Sequence, residues 1–471
     1  MLGGASQDLG KRNRWALFTS SLSFALLVVA VILGDSRPAY TLPLPRVQAI
    51  PAFARKYGLP CSACHEAWPK LNNFGQTFKD NGYQLGNDRD APIWQQPSYW
   101  PVAMRITPHW HRVSTDHVEV IDPNDSESAL VQRVTTHGFD IGGLDILAGG
   151  TLAKNISFML VPAVESSGSG LGFEAAFVRF DNLLNSSWLN LKVGKFELDN
   201  MLSEKRSMTL SDVGGGYQLY HFMPAGEELN AFGIGDNQLG MEWMGHSKND
   251  YTRFSIAMLS SNDGNVGLPN GHGYDGYVTF SQAFSAGSLG LQRVGAFGYV
   301  GRAPTYFLTG TDGTSLDGLG QKSFYRAGVF GMWYIKKFDV TTMYMRGAES
   351  AFLANNTPAN TPLDPAARGA QWNGLLLEPH YTVNPQLILI GRYELVRMAR
   401  QAMTTNASDY GNLDIVTIGY RYYPFMTSRA GFAFHNEYSW MRQKGTGPAG
   451  PLGSGLDLAT NSLFLGFDFI F

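Results

Sequence analysis

A transmembrane barrel of about 16 antiparallel β-strands, preceded by a short helical segment, is predicted by three observations. The first is composition. Glycine makes up 54 of 471 residues, aromatics 13% and charged residues only 16%, against about 7% glycine and about 25% charge in ordinary soluble chains. The second is a period of two in apolar residues that sets in after Trp100 and marks half-buried strands. The third is the C-terminus, where Leu463, Leu465, Phe467, Phe469 and Phe471 share one parity and Ser462, Gly466 and Asp468 the other. A net charge of −3 with no charge block excludes a nucleic-acid binder. Two cysteines exclude a disulfide-stapled module.

The N-terminus predicts export. Lys11, Arg12 and Arg14 precede an uncharged run from Trp15 to Leu33, densest from Phe24, which Asp35 to Pro38 end. This is the pattern of a cleaved signal over residues 1–36, with small residues Gly34 and Ser36 near the cleavage point. The apolar core is short for a span of about 20 residues. No other stretch reaches about 18 continuous apolar residues, so any further crossing must be made by strands.

Both cysteines fall in Cys61-Ser62-Ala63-Cys64-His65. Cys-x-x-Cys-His is the attachment motif of c-type haem. Two thiols a turn apart reach the two vinyl groups on one porphyrin edge, and the adjacent His65 supplies a proximal ligand to the iron. A disulfide would not need the histidine. A thioredoxin-like pair needs a preceding strand, whereas Pro60 precedes Cys61. A structural zinc needs four ligands, and there is no second cysteine pair. Residues 37–100 are thus expected to form a monohaem cytochrome c segment with one covalent haem. Pro51–Tyr57, ended by Gly58, and the stretch from Leu71, ended by Gly82, predict its helices. Leu71, Phe74 and Phe78 could pack on a haem face, on one another or on a barrel wall.

Residues 101–471 predict the barrel. Val416, Ile418, Tyr420 and Tyr422 alternate with Thr417, Gly419 and Arg421, and Phe432, Phe434, Tyr438 and Trp440 with Ala433, His435, Glu437 and Ser439. Similar runs occupy 189–194, 253–258 and 387–395, the last with a polar face that appears only at Arg392 and Glu394. An aromatic outward face and charges on the other face fit a water-exposed or plugged lumen and not a dry sandwich core. Polar linkers at 261–274, 302–322, 348–371, 400–411 and 443–455 predict long loops on one side. At roughly 23 residues per strand with its connection, residues 101–471 yield about 16 strands.

The stretch from Ile50 to Gly75 resembles the N-terminal region of the fused monohaem cytochrome–porins, outer-membrane cytochromes of iron-oxidising bacteria. The residues that carry the resemblance are Phe53, Ala54, Arg55, Gly58, Cys61, Cys64, His65, Pro69, Leu71, Phe74 and Gly75, then Gly82 and Tyr83. The resemblance implies a bacterial outer-membrane location and electron transfer across that membrane. The donor would be extracellular, with Fe(II) the best-known one, and the acceptor a periplasmic c-type cytochrome or other soluble carrier. A solute porin carrying a periplasmic haem sensor or tether is the alternative from another class. A haem peroxidase would need an open iron position and a placed acid–base residue, and neither is evident.

Two finer expectations concern the lumen. The segment from about Pro51 to Pro97 is expected to plug the barrel, facing Arg392, Glu394, Arg421, His435 and Glu437, although these charges could equally line a water-filled pore. Met104, His109, His111 and His117 are near candidates for a distal ligand. In a strand starting near Ala103, Val102, Met104 and Ile106 share the outward face, and Arg105, Thr107, His109 and His111 the inward one. That favours His109, then His111, over Met104. Pro108 could reset the parity through a bulge, and both histidines could be ordinary lumen-facing polar side chains.

Overall fold

A computed structural model describes residues 52–67, 70–85, 102–122, 124–164, 171–199, 213, 217–222, 224, 232–260, 273–303, 305, 321–355, 357–402, 412–426, 430–444 and 457–470. The predicted signal at 1–36, its cleavage point and most of the long loop tips lie outside these residues.

The segment before the barrel comprises α1 (Ala52–Tyr57), a single 3-10 turn (Cys61–Ala63), the short strands β1 (His65–Ala67) and β2 (Lys70–Leu71), and α2 (Asn73–Asp80). The wall then begins with β3 (Val102–Asp122), β4 (Asp125–Ala153), β5 (Ile156–Val164), β6 (Leu171–Phe180) and β7 (Asn190–Glu197). A long connection containing α3 (Tyr217–Tyr220) leads to β8 (Asn237–His246), β9 (Thr252–Ser260), β10 (Tyr274–Ser285) and β11 (Leu291–Ala303). Next come β12 (Lys322–Ile335), β13 (Phe338–Glu349), the short helix α4 (Ala351–Ala354) and β14 (Gln371–Asn384). The wall ends with β15 (Leu387–Arg400), β16 (Asn412–Met426), β17 (Gly431–Lys444) and β18 (Leu458–Ile470).

Among the described residues β3 to β18 close into a barrel of 16 strands, each antiparallel to its neighbours, with β18 pairing back on β3. Closure leaves no open edge at the seam. Short turns such as 154–155, 336–337 and 385–386 gather at one end, together with the start of β3 and the end of β18. The long connections gather at the other.

The alternation in sequence is alternation between lipid and lumen. Ile256, Met258, Val278, Phe280, Val329 and Ile418 point outward and are exposed, whereas Arg253, Ser255, Arg326, Thr417 and Arg421 point inward and are buried. A closed barrel with such an apolar belt satisfies every wall backbone group internally, as a membrane requires. Phe425, Phe432, Phe434, Phe467 and Phe469 form an outward aromatic cluster near the short-turn end, with ring centroids 5.0–6.4 Å apart. Such a cluster suits one interface of the apolar band. Ile418→Arg, near the middle of β16 on the lipid face, is expected to lower barrel stability by about 2–4 kcal/mol. The urea midpoint of the folded barrel would check it.

Two features shape the lumen. In β15 the inward positions include Ile388 and Ile390, which are buried with Tyr423 and Ala433; part of the lumen wall is apolar, which is why the polar face emerges only at Arg392. The second is the connection between β7 and β8. Its Leu198, Leu219, Tyr220, Phe222, Phe232 and Ile234 are buried against inward side chains of the wall. Phe232 lies 4.3 Å from Tyr299 and 4.9 Å from Phe324, and Phe222 lies 5.2 Å from Trp372, between ring centroids. The Arg326 guanidinium stands 4.4 Å from the Trp372 ring centroid and pairs with Glu349 at 2.7 Å. Burying these aromatic groups, at roughly 1.5–3 kcal/mol each, fills part of the lumen with a packed layer.

Candidate functional site

The Cys-x-x-Cys-His motif forms a one-turn helix. Ala63 N–H donates to the Pro60 carbonyl at 3.0 Å and Cys64 N–H to the Cys61 carbonyl at 3.1 Å. Asn72 secures it from the C-terminal side. Its backbone N–H donates to the Cys64 carbonyl at 2.9 Å and its side-chain amide to the Ala63 carbonyl at 3.0 Å. The same side chain accepts from Gly75 N–H at 2.9 Å and so caps α2, satisfying one of the helix's orphan amides. At Gly75 an added Cβ would run into the Cys64 carbonyl oxygen, so only glycine allows α2 to approach the motif this closely.

The two cysteines are not joined in a disulfide. Cys61 is 6% exposed, and burial pushes both thiols above their ordinary range. Two reduced cysteines one turn apart, followed directly by an imidazole, are the groups that haem attachment uses. Cys61, Cys64 and His65 therefore fit a covalent c-type haem. Of the aromatics in question, Phe78 packs with Phe53, Tyr57 and Tyr83 at 5.3, 5.6 and 6.0 Å between centroids. Phe74, one position before Gly75, is 44% exposed and is the apolar face left beside the motif.

The segment contacts inward-facing residues of the wall on several sides. Phe53 of α1 lies against Gly149, and Lys56 Nζ donates to Thr151 at 3.5 Å. Arg179 of β6 donates to the Lys79 carbonyl at 2.7 Å and to the Asp80 carbonyl. A guanidinium thus meets the C-terminal carbonyls of α2, where a cation is favoured. The chain leaves that helix through Gly82 at φ +73°, whose missing Cβ makes room for Asp181. Arg253 of β9 lies 2.7 Å from Asp80 of α2 and 3.3 Å from Asp199 of the β7–β8 connection. One buried cation therefore clasps both inserted pieces. On the opposite side Lys70 pairs with Glu66 at 3.1 Å, with Asp339 of β13, and with His380 Nδ1 of β14 at 3.1 Å. Burial alone would lower the Lys70 ammonium, but the Glu66 and Asp339 carboxylates outweigh it and hold it above its ordinary range.

Asp250, in the turn between β8 and β9, accepts from Thr77 of α2 at 3.5 Å and lies 3.4 Å from Arg253. Burial and the neighbouring Asp80 raise its carboxyl to about 7, against the opposing pull of Arg253 and Arg293. A carboxyl raised in the folded state contributes stability that is full below about pH 4 and is lost as pH rises through 7. The stability of the wild type relative to Asp250→Asn is therefore expected to fall from pH 4 to 7; urea midpoints of the two proteins at a series of pH values would show it.

The inward charges anticipated to face the segment are buried, and each pairs with a residue of the wall. Arg421 pairs with Asp468 at 3.2 Å and His435 with Glu437 at 3.0 Å. Arg392 pairs with Glu378 at 3.2 Å and lies 3.4 Å from Glu394. Arg392 and Glu394 connect to the segment through Glu378, His380 and Asp339. The contacts to Asp339, His380, Arg179 and Arg253 were missed. Inward parity marks these residues as lumenal, but nothing in sequence pairs them with a segment up to 310 positions away.

The parity of β3 is as expected. His109 lies opposite Gly466, His111 opposite Phe464 and Arg105 opposite Ile470, all inward, while Ile106 lies opposite outward Phe469. Met104 is thus outward. Pro108 does coincide with a register shift, but against β4, not β18. His111 Nδ1 lies 3.3 Å from His109 Nε2, and His109 stacks on Phe464 at 4.5 Å. Among the described residues no hydrogen bond or ring contact joins either histidine to the segment. Nor do three or more His, Cys, Asp or Glu side chains converge as a free-metal site among them; a porphyrin-borne iron asks only for axial ligands.

No protein-family model and no curated protein matches this sequence. Among solved structures, the anion-selective porin from Comamonas acidovorans aligns over 79% of this chain and 98% of its own, at 9% identity and a TM-score of 0.48. The outer membrane channel DcaP of Acinetobacter baumannii aligns over 78% and 97%, at 10% identity and 0.46. A loop L8 deletion mutant of OmpT, an outer membrane protein of Vibrio cholerae, aligns over 78% and 99%, at 14% identity and 0.44.

Proposed function

We propose that the protein is an electron conduit of the bacterial outer membrane. It would pass electrons through one covalent haem between an extracellular donor, Fe(II) in the first instance, and a periplasmic c-type cytochrome. The observation that carries this reading is the Cys61–His65 turn on a segment whose flanking side chains pair with the lumen wall. Cys61 and Cys64 would tether the porphyrin and His65 would ligate the iron. Bound there, haem supplies a one-electron carrier where lipid offers none. The chain's own residues fix and seal it. Lys70, Arg179 and Arg253 hold the segment, and the aromatic layer from the β7–β8 connection restricts water in the lumen.

A solute porin with a haem-bearing tether is the second reading. It is favoured by the barrel architecture itself, with long connections at one end and one of them folded inward. Single-channel recording in planar bilayers separates the two. A conduit with an occupied lumen gives small conductance, and an open porin gives large conductance.

A further inference from the structure

The pairing of Lys70 with the wall continues into a chain of buried ionisable side chains. Asp339 Oδ1 and Lys70 Nζ lie 3.0 and 3.1 Å from His380 Nδ1, and Glu378 Oε1 lies 2.8 Å from His380 Nε2. Glu378 Oε2 then meets Arg392 at 3.2 Å, and Arg392 meets Glu394 at 3.4 Å. His380 is 1% and Glu394 0% exposed. At the other end Glu66, next to His65, keeps a quarter of its side chain exposed.

His380 can be satisfied in two protonation states without moving. Neutral, its Nδ1 accepts from the Lys70 ammonium while Nε2–H donates to Glu378. Protonated, Nδ1–H donates to Asp339, Nε2–H still donates to Glu378, and Lys70 turns wholly to Asp339 and Glu66. The charge count favours the second state whenever negative charge is added nearby. With His380 neutral, the carboxylates of Glu66, Asp339, Glu378 and Glu394 pair, among the described residues, with the fixed cations Lys70 and Arg392. Among the described residues, Tyr334 of β12 with Arg293 of β11 beside it lies near Lys70, and Tyr220 of α3 and Glu437 of β17 lie near Arg392.

We propose that His380 is a redox-linked proton site: it takes up one proton from water when the haem segment gains one electron, and releases it when that electron passes to the acceptor. This rests on the haem reading above. The electron comes from the donor and reduces the iron by one unit. The proton enters from the water-exposed Glu66 end and binds His380 Nδ1, so that the pair of transfers leaves the net charge of the lumen unchanged.

The test is a spectroelectrochemical titration of the intact, haem-loaded protein from pH 5 to 9, wild type beside His380→Gln. The midpoint potential of the wild type is expected to fall with rising pH, with a slope approaching 59 mV per unit for one proton per electron, and to be flat over the same window in His380→Gln. A flat wild-type profile overturns the proposal. So does a wild-type slope retained in His380→Gln, which would assign the proton to another group such as a haem propionate. Should the variant fail to fold, proton uptake by the wild type on reduction, followed with a pH dye in weak buffer, decides it: close to one proton per haem supports the proposal, and none overturns it. A protein without a haem band fails at the first spectrum, which refutes the underlying reading separately.

Discussion

Replacing Cys61 and Cys64 together by alanine is expected to remove all covalently bound haem while leaving the barrel folded. The mature wild-type chain, made in a host competent for haem attachment, should weigh one haem more than its polypeptide. The double variant should weigh the polypeptide alone. The effect is all-or-none because thioether bonds hold the porphyrin. The barrel survives because its closure is made by β3 to β18, whose ladders include no residue of the segment. An unmodified wild-type chain from such a host would remove the basis of the proposed function.

The second large effect is expected at Arg253. This side chain is 4% exposed and faces Asp80, Asp199 and Asp250. Arg253→Met leaves three carboxylates around an apolar stem, and losing one partner from a buried ion pair costs about 3–5 kcal/mol. Both inserted pieces share this cation, so both should loosen. The expected readouts are a lower urea midpoint, faster proteolysis of the segment and a rise in single-channel conductance. Arg133→Met offers the contrast. That guanidinium is 62% exposed and pairs with Asp116 on the protruding β3–β4 hairpin, where an exposed pair contributes about 0–1 kcal/mol. It should change none of these readouts.

Much of the fold is legible because a barrel writes its geometry locally. Each strand alternates faces, so Thr417 beside Ile418 and Asp468 beside Phe467 already separate lumen from lipid. The terminal run to Phe471 and the polar linkers after Ser260, Ala303 and Arg400 mark strand ends within a few residues. The inserted β7–β8 connection was not legible. Its Leu219, Phe222 and Phe232 follow neither a helical nor a strand period, and their partners Trp372, Tyr299 and Phe324 lie on other strands that only closure brings together. Apolar inward positions such as Met343 and Phe330 also blur the apolar–polar alternation that a water-filled lumen would write.

The site divides in the same way. Cys61, Cys64 and His65 are a local spacing and are read at sight. Asn72 and Gly75 are local too, and their work is to cap a helix and let it touch the motif. The wall contacts are not local. Lys70 meets Asp339 and His380 across 269 and 310 positions, and no periodicity encodes such a pairing. Parity correctly turned His109 and His111 inward and Met104 outward. It said nothing about height along the lumen, which is the quantity that decides whether an inward histidine reaches the segment.

The most direct measurement uses proteoliposomes with ferricytochrome c trapped inside and Fe(II) supplied outside. With haem-loaded protein in the membrane, the trapped cytochrome is expected to become reduced, and with the Cys61→Ala, Cys64→Ala double variant it is expected to remain oxidised. A trapped cytochrome that stays oxidised beside the haem-loaded wild type, or one reduced equally fast beside the double variant, would contradict electron passage through a haem held at Cys61, Cys64 and His65.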